Sequence, residues 1–353
     1  MLNDKLFKTL FNQKNILITG GTGSFATHLI NTLLTHHNPK KIIVYSRDEF
    51  KQYNLQNTLE TQYPHSKNVM RYFIGDVQDK ERLLMATRGV HYIIHTAALK
   101  HVPVCEYNPF EAVKTNIIGS QNLIESAIAN KVEKIIALST DKACQPVNLY
   151  GSTKSTMEKL FIAANNYTGA QETSFSLVRY GNVINSRGSV LPYYQSLLKS
   201  NPDTTLPLTH KDMTRFIITL DQATLTVYNA LLHSVGGEIF IPILPSITIS
   251  DLIKALNATP SLTAIREGEK LYETLITQEE LPKTKILNND YCVIQPSITI
   301  SKPVTKYSNY KPFTLPLNTT SYSSNTNTNF LNPQSIKQLL INQKLMIKEV
   351  KIC

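Results

Sequence analysis

The stretch that opens at Asn15 constrains this chain most. NILIT is a short, apolar, β-branched run; GGTGSFA follows it directly, and THLINTLLTHH then carries apolar residues at helical spacing. Glycines between a strand and a helix let the backbone turn tightly and approach a pyrophosphate, which sits against the positive end of the helix. The spacing Gly20, Gly23, Ala26 is the wider G-x-x-G-x-x-G form, with alanine at a position that needs only close helix–strand packing. In this context we expect a dinucleotide site around Gly20, Thr22, Gly23, Ser24 and Phe25, the alternative being a purely structural tight turn.

The same pattern recurs. KIIVYS at 41–46, YFIGD at 72–76, HYIIHTAA at 91–98 and KIIALST at 134–140 read as strands, with EAVKTNIIGSQNLIESAIAN helical between the last two. Near-continuous apolar strands alternating with helices require a parallel sheet covered on both faces, so the fold class is α/β, doubly wound and Rossmann-like. Beyond Lys154 a helix (STMEKLFIAANN) leads to a strand, SFSLVRYGNV, at 174–183. A loop with Pro192, Pro202 and Pro207 precedes MTRFIITLDQATLTVYNALLH and EIFIPI. Residues 295–330 are rich in Thr, Ser, Asn and Pro, which predicts surface loops and short edges. We expect a dinucleotide-binding domain over 1–183, with 214–243 returning to it, and a smaller C-terminal substrate lobe from 184–213 and 244–353.

Composition narrows the partners. With 42% hydrophobic and 18% charged residues the chain is not broadly disordered. No run approaches the roughly 20 apolar residues of a membrane span. The first residues, MLNDKLFKTLFNQKN, hold no long apolar stretch and no small-residue cleavage site, so the expectation is a cytoplasmic protein with no membrane partner. Cys105, Cys144, Cys292 and Cys353 stand far apart and read as free thiols. The net charge of +10 could be a solubilising surface excess, or it could serve an anionic small molecule or nucleic acid. The basic residues are scattered, which puts nucleic acid last. His91, His95 and His101 are close in sequence, but two lie on or beside an apolar strand and nothing acidic completes a ligand set, so no metal is expected.

Two further clusters carry chemistry. The second strand ends Tyr45-Ser46-Arg47-Asp48. A binder of NAD usually ends this strand with an acid on the ribose 2′-hydroxyl; here a hydroxyl and a guanidinium come first, and the guanidinium fork suits a 2′-phosphate, which favours NADP. The alternative is that Arg47 stacks on the adenine while Asp48 takes the ribose. After the fifth strand come Ser139-Thr140-Asp141-Lys142 and then Tyr150-Gly151-Ser152-Thr153-Lys154. Tyr150 and Lys154 are one helical turn apart on one face. An ammonium beside a phenol lowers its pKa from near 10, so such a tyrosine can take a hydroxyl proton while hydride leaves to nicotinamide.

Turn, fifth-strand cluster and Y-x-x-x-K together resemble the extended short-chain dehydrogenase/reductase family. Within it they are most similar to UDP-N-acetylglucosamine 4,6-dehydratases of the configuration-inverting kind, which open the pseudaminic acid pathway. The stretches carrying the resemblance are ILITGGTGSF, IIVYSRDE, FIGDV, AALKHVPVCEYNPFEAVKTNIIGSQN, ALSTDKACQPVNLYGSTK, VRYGNVINSRGSVLP, MTRF, GGEIF and REGEKLYE, with a weaker echo in SYSSNTNTNFL. The Asp141-Lys142 pair separates this group from sugar-nucleotide epimerases, which lack it, and from retaining dTDP-glucose dehydratases, which carry Asp-Glu. Tyr150 separates it from a capsule-pathway group with methionine there, and from the membrane-anchored retaining UDP-N-acetylglucosamine dehydratases, which usually lack the tyrosine.

The resemblance implies Thr140, Asp141, Lys142, Tyr150 and Lys154 as catalytic residues. It implies NADP held by the glycine turn, Ser46, Arg47, Asp48, Asp76, Val77, Thr96, Ala97, Lys100, Thr115, Tyr150 and Lys154. UDP-N-acetylglucosamine would be held by Lys100, Asn182, Val183, Arg187, Val190, Arg215, Arg266 and Glu269, and the protein would be a homo-oligomer. Tyr150 would take the 4-hydroxyl proton, and Lys142, neutral through a pKa lowered by desolvation, would take the C5 proton. Asp141 would protonate the departing 6-hydroxyl. For Lys142 a phosphate or ribose contact, and for Asp141 a cap on the following turn, remain alternatives. The chain departs from the family pattern at Ala26, Asn185, Phe216-Ile217 and Glu267, and has no Trp. A UDP-sugar 4-epimerase and a non-catalytic NADP-binding regulator are the rival functions.

Overall fold

The computed structural model describes residues 5–169, 172–296 and 305–346. Six parallel strands, β1 (Asn15–Thr19), β2 (Lys41–Ser46), β3 (Met70–Ile74), β4 (Tyr92–His95), β5 (Lys134–Thr140) and β6 (Ser174–Tyr180), lie in the order 3-2-1-4-5-6. The strand Ile239–Pro242 adds in parallel beside β6. Tyr291–Ile294 and Thr284–Asn288 then close that side antiparallel, making nine strands. Ile16, Leu17 and Ile18 of β1 are fully buried because helices cover both faces, which is why the strand is apolar without alternation. The chain winds outward in both directions from between β1 and β4, and at such a reversal the strand ends leave a crevice that takes ligands.

The structure departs from the sequence expectations in five places. The third strand covers Met70–Ile74, so Gly75 and Asp76 lie past its end, and the Tyr45 hydroxyl donates to the Asp76 carbonyl at 2.8 Å. The stretch 174–183 is not one strand: Asn182 and Val183 leave the large sheet and pair with Ile217 and Ile218 in a second, three-stranded sheet. The helical stretch after Pro109 is interrupted by a π-helical turn, Lys114–Ile118. Fourth, 244–353 does not stay in the smaller lobe, because Tyr291–Ile294 covers the edge that Ile239–Pro242 would otherwise leave unpaired. Tyr307 and Tyr322, in a stretch expected to be surface, are buried in the large core.

A second core gathers Ile184, Leu191, Leu206, Met213, Ile247, Leu252 and Ile336, and forms the smaller lobe. Cys105, Cys144 and Cys292 are free and buried; Cys353 lies outside the described residues, as do 297–304 of the stretch 295–330. Among the described residues no helix is long and apolar enough to cross a membrane.

Candidate active site

The carboxyl ends of the central strands and the inner face of the smaller lobe enclose a cleft of about 1760 Å³. On one wall, Gly20 has φ +63° and a side chain there would come within 2.9 Å of the Ala97 backbone, so the turn is tight because it is glycine. The helix α2 (Ser24–His36, α1 being Lys5–Phe11) follows, with Gly23 as its N-cap, no side-chain cap and no acid in its first turn. Its first N–H groups are therefore left for an anion, which is the fit a pyrophosphate needs. Thr96 braces the turn by donating to the Thr19 carbonyl at 2.7 Å. Val77 and Thr115 line the same cleft, and Gln78 Nε2 donates to the Thr115 hydroxyl at 3.1 Å.

At the end of β2, Asp48 is the N-cap of the helix Glu49–Gln62. It accepts from the Lys51 amide at 2.9 Å and pairs with Lys51 Nζ at 2.6 Å, and these Lys51 bonds hold its carboxyl below the ordinary range. Arg47 is exposed and pairs with Asp76 at 3.2 Å, and Ser46 accepts from Gln52.

The floor of the cleft is where β5 ends. Thr140 leads into the short 3-10 turn Asp141–Ala143. Asp141 is fully buried; its Oδ1 accepts from Thr140 Oγ1 at 2.9 Å and Lys142 Nζ at 3.1 Å, and its Oδ2 has no hydrogen-bond partner among the described residues. Lys142 Nζ also donates to Asn182 Oδ1 at 3.2 Å and lies 3.2 Å from Glu273 Oε1. Burial alone would lower the Lys142 pKa, but Asp141 and then Glu273 more than reverse this, and it is raised. Desolvation alone, the expected cause of a neutral amine, is thus opposed by the two acidic side chains beside it.

Asn148 accepts from the Gly151 amide at 2.8 Å and so starts the helix Leu149–Ala164, which presents Tyr150 and Lys154 one turn apart, both buried. Burial pushes Tyr150 up to about 12, against the pull of Lys142 and Thr140. Lys154 is not the cation that acts on it, contrary to expectation. Its Nζ donates to the Leu138 carbonyl of β5 at 2.7 Å and meets Met157 Sδ at 2.9 Å, and burial brings its pKa down to about 7. Below the floor, Glu158 accepts from Ser139 at 2.6 Å and pairs with Arg179 at 2.6 Å, tying β5, β6 and this helix together.

The residues expected at the substrate line the same cleft: Lys100, Asn182, Val183, Arg187, Val190, Arg215, Arg266 and Glu269. Burial, then Arg187 and Lys142, lower the Lys100 pKa. Arg187 reaches across to the glycine turn, donating to the Thr22 carbonyl and, through its amide at 3.2 Å, to Ser24 Oγ. Arg215 is buried and its guanidinium donates to the carbonyls of Thr214, Lys270 and Leu271. Every residue expected in catalysis or in holding cofactor or substrate lines the cleft except Asp141, which is fully buried and bonded to Lys142 Nζ. Sequence reasoning missed Glu273 and Lys270, although both lie in or beside the quoted REGEKLYE stretch, and Asn116, whose side chain holds the Leu99 amide and carbonyl at 2.8 and 2.9 Å. His95 is buried between Thr19 and Ser120, its pKa pushed by burial to about 3, and His91 accepts from the Asn15 amide. Among the described residues no three of His, Cys, Asp or Glu cluster as a metal site.

Residues 16–295 match the family described as "Polysaccharide biosynthesis protein". The chain is 50% identical over 293 residues to a UDP-N-acetylglucosamine 4,6-dehydratase (inverting) of Campylobacter jejuni, covering 82% of this chain and 85% of that one. It is 38% identical over 351 residues to a UDP-glucose 4-epimerase of Rickettsia bellii, covering 97% and 99%. Among solved structures, Pen from Bacillus thuringiensis superposes with a TM-score of 0.85 at 36% identity, over 95% of this chain and 99% of that one.

Proposed function

The chain belongs to the polysaccharide biosynthesis protein family, of extended short-chain dehydrogenase/reductase type, and from that membership we propose that it is a lyase acting on UDP-N-acetylglucosamine. It removes water across C5 and C6, leaves a ketone at C4 and inverts C5. The observation that carries this reading is the grouping of Lys142 and Tyr150 at the floor of the cleft that the glycine turn also lines, with Asp141 bonded to Lys142 Nζ at 3.1 Å, in a chain half identical to an inverting dehydratase.

A nicotinamide dinucleotide bound in this cleft would supply a hydride acceptor for sugar C4 and a hydride donor for C6, with no net redox. Gly20, Gly23 and the open first turn of α2 would hold its pyrophosphate. We assign it as NADP: Asp48 is committed as a helix cap, and the cations Arg47 and Lys51 line the cleft where a 2′-phosphate would sit. Tyr150 Oη takes the proton of the 4-hydroxyl, its phenolate favoured by Lys142 and Thr140. The ketone acidifies C5, Lys142 Nζ removes that proton, and Asp141 protonates the 6-hydroxyl as it leaves. Reprotonation on the opposite face inverts C5. The same reading makes the product a precursor for pseudaminic acid-type sugars and the enzyme a cytoplasmic homo-oligomer.

The test is NMR of the purified protein with UDP-N-acetylglucosamine in D₂O. A 6-deoxy-4-keto sugar with deuterium at an inverted C5 is expected; retained C5 would overturn the inverting assignment. The full-length match to a protein named UDP-glucose 4-epimerase favours a second reading, in which only C4 changes. Formation of UDP-N-acetylgalactosamine without loss of water would establish that one instead.

A further inference from the structure

An amine that removes a proton must first be without one, yet Lys142 is surrounded by groups that favour its ammonium. Its three N–H donors meet Asp141 Oδ1 at 3.1 Å, Asn182 Oδ1 at 3.2 Å and Glu273 Oε1 at 3.2 Å. Asn182 is an amide and cannot accept the proton. Asp141 already accepts from Thr140, and in the proposed reaction its own proton goes to the 6-hydroxyl. Glu273 is the remaining titratable acceptor.

Its setting suits the task. Glu273 is 2% exposed, lines the cleft, and has an Oε2 with no hydrogen-bond partner among the described residues. The backbone fixes its aim: the Glu273 amide donates to Ser324 Oγ at 3.0 Å, and the Ser324 amide donates to the Glu273 carbonyl at 2.8 Å. Ser324 Oγ is in turn within 2.8 Å of Thr214 Oγ1, on the strand that carries Arg215. The charged and titratable groups around the Lys142–Glu273 pair come from every element packed on it. Asp141 is on the same turn, Tyr150 on the helix above, and Lys100 on the loop after β4; Arg215 Nε lies 3.9 Å and Lys270 Nζ 4.0 Å from the Glu273 carboxylate.

We propose that Glu273 is a positioning residue that stores the Lys142 proton during the reaction, so that Lys142 reaches its basic form without releasing a proton to water. This rests on the reading under Proposed function. One proton moves from Lys142 Nζ to Glu273 Oε1, leaving a neutral amine and a carboxylic acid. The amine lone pair then takes the C5 proton, and the C–H electron pair passes into the enolate of the 4-ketone. Lys142 and Glu273 together now hold one proton more than at rest, the one from C5. Its transfer to Asp141, 3.1 Å from Lys142 Nζ, replaces the proton given to the 6-hydroxyl and restores the resting pair, while the 4-hydroxyl proton on Tyr150 leaves to solvent and C5 is refilled from solvent on the other face.

The consequence is a pH signature. With Glu273 present, activating Lys142 does not change the number of bound protons, so kcat/KM has no slope from this lysine between about pH 6 and 9. In Glu273→Gln the proton must leave to solvent, and kcat/KM rises about tenfold per pH unit until the lysine is neutral. The experiment measures ketone formation and C5 deuteration by the NADP-loaded wild type, Glu273→Gln and Glu273→Asp across that range, with NADP content checked for each. Tyr150 adds the same slope to every profile, so the expected result is a Glu273→Gln profile about tenfold per pH unit steeper than wild type, and a Glu273→Asp profile slower than wild type but parallel to it. A Glu273→Gln profile parallel to wild type overturns the proposal. Should that variant not fold, the wild type decides through solvent-deuterium exchange at C5 of the preformed 4-keto product, which needs Lys142 but not Tyr150: a rise of about tenfold per pH unit in that exchange overturns the proposal equally. A wild type that forms no ketone removes the dehydratase reading instead, and the two failures are distinct.

Discussion

Lys154 sits in a place that should make the protein less stable than it need be. It is 3% exposed, its one backbone bond goes to Leu138, and its pKa falls from 10.5 to about 7 through burial. In the unfolded chain the group stays protonated up to its ordinary value. Between about pH 7 and 10.5 the unfolded state therefore binds a proton that the folded state does not, and stability rises with pH across that window. Below pH 7 the penalty is complete. At about 1.4 kcal/mol per pKa unit, the shift corresponds to about 5 kcal/mol against folding at neutral pH. Near-complete burial leaves no solvent screening to discount.

Replacing Lys154 with Met removes that penalty but strands the Leu138 carbonyl, which costs about 1–3 kcal/mol. Cofactor-free Lys154→Met is expected to gain about 2–4 kcal/mol at pH 7 and to melt several degrees higher by calorimetry. It should also lose most of its turnover. The pH dependence is the sharper check, because packing changes cancel from it. From pH 7 to 9 the advantage over wild type should shrink by about 2–3 kcal/mol. An advantage that stays constant over that range, or a variant less stable than wild type at pH 7, would refute the argument that burial keeps this lysine neutral. A residue held at such a cost is kept for function rather than for folding.

Two further outcomes follow from the geometry. A side chain on Gly151 would overlap the Lys142 carbonyl oxygen and come within 3.0 Å of Pro146 Cβ, so Gly151→Ala should displace the Asp141–Ala143 turn. We expect a loss of about 1–3 kcal/mol in stability and on the order of 100-fold in kcat, with NADP affinity unchanged in a binding titration because the glycine turn is untouched. Arg47→Asp should weaken NADP by about 10- to 100-fold by calorimetric titration and leave NAD affinity nearly as it was; equal losses for both would remove Arg47 from the 2′-phosphate.

The strands NILIT, KIIVYS and KIIALST begin and end in the structure where their residues say, because a strand buried on both faces must be apolar throughout and its ends are marked by glycine or charge. The third strand was less legible, since Gly75 and Asp76 continue its pattern but belong to the cleft edge. The strands at 284–294 were not legible at all. They are short and antiparallel, and Thr284–Asn288 carries Lys285 and Asn288 on the sheet's last edge, so no apolar run announces it.

The site divides in the same way. Its residue types were legible because they stand in short contiguous motifs: the glycine turn, Thr140-Asp141-Lys142, and Tyr150 with Lys154. Their charge states were not. Helical spacing put Lys154 on the face of Tyr150, but a buried ammonium is governed by the nearest carbonyl, and that lies on another element. Lys142 read as a desolvated amine because only one of its two acidic neighbours, Asp141, stands in its own segment. The other acidic neighbour, Glu273, arrives from a segment far along the chain, where Ser324 fixes its direction. A pKa sums over everything within a few ångströms regardless of chain order. A motif can therefore name the base and the acid of a reaction while the proton's resting place is decided by residues that the motif does not contain.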